Sequence, residues 1–263
     1  MKKVMLLLII ASFSVVSSQN QKITALKTDS IRFDGDAFLS YDSFGFYYTI
    51  KNNVFSKIGT RDTLEYKNIS LGKISKVDLQ NPLKIVLFYE NFNTVIILDN
   101  QLNEIQKINF SENTIPIVAT AIGISSMNQL WIYNSMNQQL GLYDYLNNEY
   151  KTISVPFSES IKNYSSDFNV FHWVDNKNNW YTCDIFGKII SKAIIPDFEW
   201  IEIINENQLI YSKNAILTLY DLEKGGETEI EISEKTFKKF YYKDQILSIF
   251  TSEGITNFKI ILP

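Results

Sequence analysis

His172 is the one histidine and Cys183 the one cysteine in 263 residues, and between them they bound the nucleophilic chemistry open to this chain. A Ser-His-Asp or Cys-His pair has to use His172. Phe168 to Val174 nevertheless reads as a strand in which Phe171 and Trp173 flank the imidazole, so the residue is expected to be structural. Cys183, in Trp180-Tyr181-Thr182-Cys183, reads as a small buried hydrophobe,. With one residue of each kind, no intrachain disulfide forms and multi-histidine or cysteine-rich metal sites are excluded. Carboxylates are the other resource. A glycoside hydrolase needs only two of them at a set separation, and 29 acidic residues leave that reading open as an alternative. Asp34-Gly35-Asp36 offers hard oxygen ligands for calcium, but the EF-hand spacing is absent and the triplet suits a hairpin turn. Gly225-Gly226 is a turn of the same kind, and no phosphate-cradling loop occurs. No metal or cofactor is expected.

The elements that would position these residues follow a leader. Residues 1–18 have the layout of a secretory signal peptide: Lys2 and Lys3, an apolar run from Val4 to Ile10, and small residues at Val16 and Ser18, with cleavage before Gln19,. A membrane anchor would need about 20 apolar residues, and Ser12, Ser14, Ser17 and Ser18 interrupt this stretch. No cysteine follows the cleavage point to carry a lipid. The expected address is periplasmic, outer-membrane-associated or extracellular. Loss of Lys2 and Lys3 takes the net charge from -4 to -6. An acidic chain whose arginines are Arg32 and Arg61 lacks the basic face that nucleic acid requires. Residues 19–263 are expected to form one domain.

A polar turn followed at once by an apolar, aromatic run recurs six times, in steps of roughly 40 residues. The turns are Asp34-Gly35-Asp36, Gln80-Asn81-Pro82, Met127-Asn128-Gln129, Asn176 to Asn179, Asn205-Glu206-Asn207 and Lys243-Asp244-Gln245. The runs are Ala37 to Leu39, Ile85 to Tyr89, Leu130 to Tyr133, Trp180 to Cys183, Leu209 to Tyr211 and Ile246 to Phe250. They are too short for helices, and continuous apolarity means a strand covered on both faces. A second strand often closes on aspartate, at Asp99, Asp144 and Asp221; Glu229 to Ile232 and Thr152 to Val155 then alternate, as strands with one wet face do,. The step between the fourth and fifth turns is short, which suggests an incomplete or miscounted unit. Ser158 to Ser166 is the one segment with room for a helical turn. The tail supplies three strands, Phe237 to Tyr242, Ile246 to Thr251 and Ile255 to Leu262. Ile23 to Leu26 is expected to pair with them and so remove an open edge.

This pattern resembles the β-propeller superfamily, in particular irregular six-bladed secreted forms of Bacteroidota. The asparagine-rich, lysine-over-arginine composition is similar to that of flavobacterial exported proteins. The resemblance implies an all-β, six-bladed β-propeller closed by pairing of the N-terminal strand with the last blade. It carries over no functional residue, because the tryptophan-aspartate and Tyr-Trp-Thr-Asp blade signatures are absent. Sialidases of this architecture clamp a carboxylate with three arginines, one more than the chain has, and the Ser-x-Asp-x-Gly-x-Thr-Trp box is missing.

In such a ring, loops leaving the second strand and entering the first gather around the axial opening, and loops on rigid scaffolds carry recognition. Glu90, Asn91, Phe92, Asn134, Met136, Asp184, Lys213, Asn214 and Trp200 are therefore expected to converge, with Phe92, Met136 and Trp200 as the apolar contacts. The function expected is a non-catalytic secreted or cell-envelope scaffold for a protein partner. Carbohydrate or small-ligand binding in the axial pocket, or a carboxylate hydrolase, are the alternatives.

Overall fold

The double burial expected of the apolar runs is met because alternate residues of one strand serve two different interfaces. In the computed structural model, which describes residues 22–263 except 34, 43, 113–115, 235 and 238, Ile85–Tyr89 is buried along its whole length. Ile85 and Leu87 pack with Tyr48 and Phe55 on one side, while Val86 and Phe88 pack with Ile122 and Ile132 on the other. The signal peptide expected at 1–18 and Asp34 lie outside the described residues.

Six antiparallel sheets, or blades, result. Blade one is Ala37–Tyr41, Tyr47–Lys51, Val54–Ile58 and Thr63–Tyr66; blade two is Lys76–Asp78, Ile85–Tyr89, Thr94–Leu98 and Glu104–Asn109. Blade three is Ala119–Ile124, Gln129–Asn134, Gln139–Asp144 and Glu149–Thr152; blade four is Ile161–Ser166, Val170–Asp175, Asn179–Asp184 and Ile189–Ile194. Blade five is Trp200–Ile203, Gln208–Lys213, Ile216–Asp221 and Gly226–Glu231; blade six is Lys239–Lys243, Ile246–Phe250, Gly254–Lys259 and the N-terminal Leu26–Arg32. From blade two round to blade one, the first strands of neighbouring blades touch, so they line an axis. One apolar cluster fills each blade-to-blade interface, and that between blades six and one is the smallest, with Phe38, Phe250 and Ile255 as its buried members.

Three expectations are corrected here. Ile23 to Leu26 does not pair as a unit with the last blade: Ile23–Thr24 runs parallel to Ile230 and Glu231 on the edge of blade five, and Leu26–Arg32 pairs antiparallel with Gly254–Lys259. The pairing segment is polar and mostly exposed, as an edge strand held by its backbone can be, so hydropathy pointed a few residues too early. The repeat was also out of phase in two blades. Ala37–Tyr41 is a first strand and Asn179–Asp184 a third, whereas second strands begin at Tyr47, Ile85, Gln129, Val170, Gln208 and Ile246, each roughly 40 residues after the last,. The aromatic Phe44 and Phe168 had disguised the true turns. The short step therefore reflects phase, and no blade lacks a strand. Finally, Ser158 to Ser166 holds no helical turn but the strand Ile161–Ser166, whose Ile161 and Tyr164 pack against blade three.

The aspartates that close third strands act locally. Oδ1 of Asp99, Asp144 and Asp221 each accepts two backbone N–H groups of the following turn, at 2.8 to 3.1 Å. Asp184 does the same for Phe186 and Lys188,. Cys183 is fully buried, and burial pushes its thiol up to about 12. Its thiol is expected to be inert to a disulfide reagent in the native protein at pH 8 and fully reactive in denaturant. Prompt native labelling would contradict the packing.

Candidate functional site: the axial channel

Alternation along the first strands decides what faces the axis. Ile201 and Phe240 turn into the blade interfaces, so Trp200, Glu202, Lys239 and Tyr241 turn toward the channel, and Lys76 and Asp78 do so from blade two,. Two cavities result. One, of about 590 Å³, opens at the starts of the first strands and is lined by Asp36, Lys73, Lys76, Trp200, Glu202 and Lys239 among others. The second, of about 540 Å³, opens at their far ends, beside Asp78, Ser166, Asp167, His172, Lys243 and Asp244. Leu39, Lys76, Glu202 and Tyr241 line both, which makes them the waist of one channel.

Charge is distributed unevenly along it. The first mouth gathers Lys73, Lys76 and Lys239 against Asp36 and Glu202. Asp36 Oδ2 already accepts the N–H of Asn52 at 2.7 Å. Trp200 Nε1 donates to Glu202 Oε1 at 3.2 Å and to the carbonyl of Phe240 at 3.0 Å, fixing the indole, and Lys239 Nζ lies 4.2 Å from that ring's centre,. Lys76 Nζ lies 4.9 Å from the Tyr164 ring centre. Burial pushes the Glu202 carboxyl up to about 7, against the pull of Lys76, the Trp200 hydrogen bond and Lys239,. The wall of the narrow channel withholds bulk water from a side chain that is still partly exposed to it. Burial, then repulsion from Lys76, holds the Lys239 ammonium below the ordinary lysine value. Tyr241 is pushed up to about 12, mainly by burial.

The other channel carboxylate has a different employment. Asp78 Oδ1 accepts the N–H of Gln80 at 2.8 Å and Oδ2 that of Ile124 at 2.7 Å, tying blade two to blade three. Burial raises its carboxyl nonetheless. His172 is buried, with Nε2 3.8 Å from Asp167 Oδ2 and Nδ1 lacking any hydrogen-bond partner among the described residues. Ser166 lines the same cavity, but no hydrogen bond joins its hydroxyl to the imidazole, so the three do not form a relay of the Ser-His-Asp kind.

Of the residues expected to converge, Trp200 alone lines the channel. Glu90, Asn91, Phe92, Asn134, Met136, Lys213 and Asn214 lie on or beside turns between second and third strands, at the same end of the sheets as the lysine mouth but on its rim. Phe92 and Met136 are exposed, at 49% and 62%. Asn134 is buried and structural, donating to the Pro116 carbonyl and accepting the N–H of Val118. Lys213 reaches Asp197 at 3.8 Å. Asp184 is at the opposite end, next to the turn between the first and second strands of blade four, where Ile185 N–H meets the Asn169 carbonyl at 3.1 Å. The phase slip in that blade placed it on the wrong face. Sequence reasoning missed Lys73, Lys76, Glu202 and Lys239, although Lys76-Val77-Asp78 and Trp200-Ile201-Glu202 carry the alternation of half-wet strands.

The ring and its axial channel define a β-propeller of six blades. No protein-family model matches the chain. Among solved structures it is similar to virginiamycin B lyase from Staphylococcus aureus, at a TM-score of 0.59 and 10% identity, over 94% of this chain and 97% of that one. It is also similar to the extracellular domain of the one-component system BT4673 from B. thetaiotaomicron, with a TM-score of 0.53, 12% identity and 93% and 33% coverage. PorZ, a surface component of the type-IX secretion system of Porphyromonas gingivalis, matches with a TM-score of 0.51, 10% identity and 91% and 34% coverage. At these identities the likeness shows the fold alone. A curated BTB/POZ domain-containing protein of Acanthamoeba polyphaga mimivirus is 27% identical over 114 residues, which are 41% of this chain and 23% of that protein.

Proposed function

We propose that this chain is an exported, non-catalytic recognition module that holds an acidic segment of a protein partner over the lysine-ringed mouth of its channel. The observation that carries this reading is the grouping of Lys73, Lys76 and Lys239 around Trp200 at one end of the axis of an otherwise acidic protein. Exposed Phe92 and Met136 at the same end supply apolar contact beside the charge,. The absence of catalysis is inferred from occupancy. Both Asp78 oxygens serve backbone N–H groups and the His172 imidazole engages no hydroxyl, so neither is paired with Glu202 for acid–base work,. Export rests on the layout of residues 1–18, and the likeness to propellers described as extracellular or as a surface component agrees with it. A small anionic ligand, such as a sugar acid, is the second reading, favoured by a cavity of about 590 Å³, a size typical of small-molecule pockets.

Calorimetry with a hexaglutamate peptide at low salt tests the first reading. Saturable binding is expected, weakened roughly tenfold or more by Lys73→Glu or by Lys239→Glu, and weakened further by salt. Equal binding by the charge-reversed proteins, or equal binding of hexalysine, would remove the lysine mouth as the recognition surface.

A further inference from the structure

Three charged side chains from three blades face one channel and do not touch. Lys76 and Glu202 line its waist, with Lys239 just above them. No ion pair joins the three among the described residues: Lys76 rests over Tyr164, Lys239 over Trp200, and the one hydrogen bond to Glu202 comes from Trp200. Lys76 and Lys239 are exposed to the water of the channel and Glu202 is half-buried beside them, so the two ammonium groups can meet a ligand without first leaving a protein carboxylate. Two ammonium groups held apart on aromatic rings around an open cavity leave space for an anion with several acceptor oxygens, approached from both sides. We propose that the waist of the channel binds a compact dianionic oxyanion of the sulfate or phosphate class between Lys76 and Lys239, and that Glu202 takes up a proton as it binds.

The proton linkage follows from what surrounds Glu202. Blade two presents Lys76 and, further along, Asp78; blade four presents Tyr164; blade six presents Lys239 and Tyr241; Lys73 and Asp36 stand at the mouth. Blades one and three contribute uncharged Leu39, Ser40 and Ile122. Ionised, Glu202 competes with the incoming anion for both lysines and repels it. Protonated, it leaves the lysines to the ligand and donates a hydrogen bond to one of its oxygens. Its carboxyl already titrates at about 7, and a dianion alongside raises it further. Affinity therefore strengthens about tenfold in all as pH falls from 8 to 6, most of it between 8 and 7, and levels off below.

The site rests on the lysine mouth of the preceding reading but lies deeper, and the two are separable. The probe is sulfate, whose charge does not titrate between pH 6 and 8.5, measured by calorimetry in chloride buffers. Saturable binding at pH 6, about tenfold weaker at pH 8, is expected. Glu202→Gln should bind at pH 8 as tightly as the unaltered protein at pH 6 and show no pH dependence. Lys76→Met and Lys239→Met keep the aliphatic stems that pack on Tyr164 and Trp200, and each should lose at least tenfold. Where a methionine variant fails to fold, as judged by its melting curve, the corresponding glutamine takes its place. No saturable sulfate binding by the folded protein, a pH-independent affinity, or undiminished binding by the lysine variants would each overturn the site. Hexaglutamate binding without sulfate binding would reject the waist site and leave the mouth standing; sulfate binding without hexaglutamate binding would do the reverse.

Discussion

A protein that begins at Phe33 instead of Lys22 is expected to melt on the order of 10 °C or more below the longer chain, and to aggregate as it does so. Leu26–Arg32 supplies the fourth strand of blade six, running from Leu26 opposite Lys259 to Arg32 opposite Gly254 with one bulge between Lys27 and Asp29. Asp29 Oδ1 also accepts from Asn257 Nδ2 at 2.8 Å, and Thr28 Oγ1 donates to the Asn257 carbonyl at 3.1 Å. Without this strand the edge of Gly254–Lys259 is bare, a template for pairing with another molecule. The interface it abuts is also the one with the smallest apolar cluster, so little else holds blade six against blade one. The exposed pairs Lys22–Glu229 and Lys27–Glu234 add little,. A subtler variant isolates the pairing. Gly254 has φ of +146°, and a Cβ there would stand 2.1 Å from the Ile31 carbonyl oxygen. Gly254→Val should therefore reproduce much of the truncation's loss. Melting temperatures within about 2 °C of the parent for both proteins, measured by calorimetry, would show that the ring holds without this strand.

The second large effect is expected at Trp131. Its side chain is wholly buried at the interface of blades three and four, its ring centre 6.0 Å from that of Phe171, and its Nε1 donates to the Asp167 carbonyl at 2.8 Å. Trp131→Ala should cost about 3–5 kcal/mol from lost burial and the cavity left behind. Trp180 is equally buried between blades four and five, but its Nε1 has no hydrogen-bond partner among the described residues. Replacing each by phenylalanine separates packing from polarity. Trp131→Phe strands a carbonyl and should cost an additional amount of about 1–3 kcal/mol. Trp180→Phe shrinks the ring but also removes an unsatisfied donor, and should cost less than about 1.5 kcal/mol. Denaturant titrations that ranked the two phenylalanine variants in the opposite order would refute the assignment of these hydrogen bonds.

The all-β ring of six blades was legible because its cause is local. A strand such as Ile85–Tyr89 must be apolar at every position, since its odd and even residues meet different neighbours. That signature survives in sequence without knowledge of the neighbours. The aspartates at Asp99, Asp144 and Asp221 were visible for a similar reason, each serving a turn within four residues of itself. Phase was harder. Phe44 and Phe168 put aromatic side chains where turns are usually polar, and the error this caused in blade four moved Asp184 to the wrong end of the sheets. The polar Leu26–Arg32 was misjudged because an edge strand is selected by free backbone groups, which leave no trace in hydropathy.

By itself, then, the sequence determined an all-β chain of short, doubly buried strands recurring at roughly 40-residue intervals, which depends on composition and on neighbours close along the chain. Only the tertiary structure decided that Lys76, Glu202 and Lys239 face one channel. They are separated by more than a hundred residues at the widest, and each taken alone is an ordinary charge on a short strand. Their association depends on the angle at which blades two, five and six stand around the axis, and that angle is set by the packing of six apolar interfaces together. The same packing withholds water from Glu202 and so pushes its carboxyl above the ordinary glutamate range, an effect that no local pattern encodes.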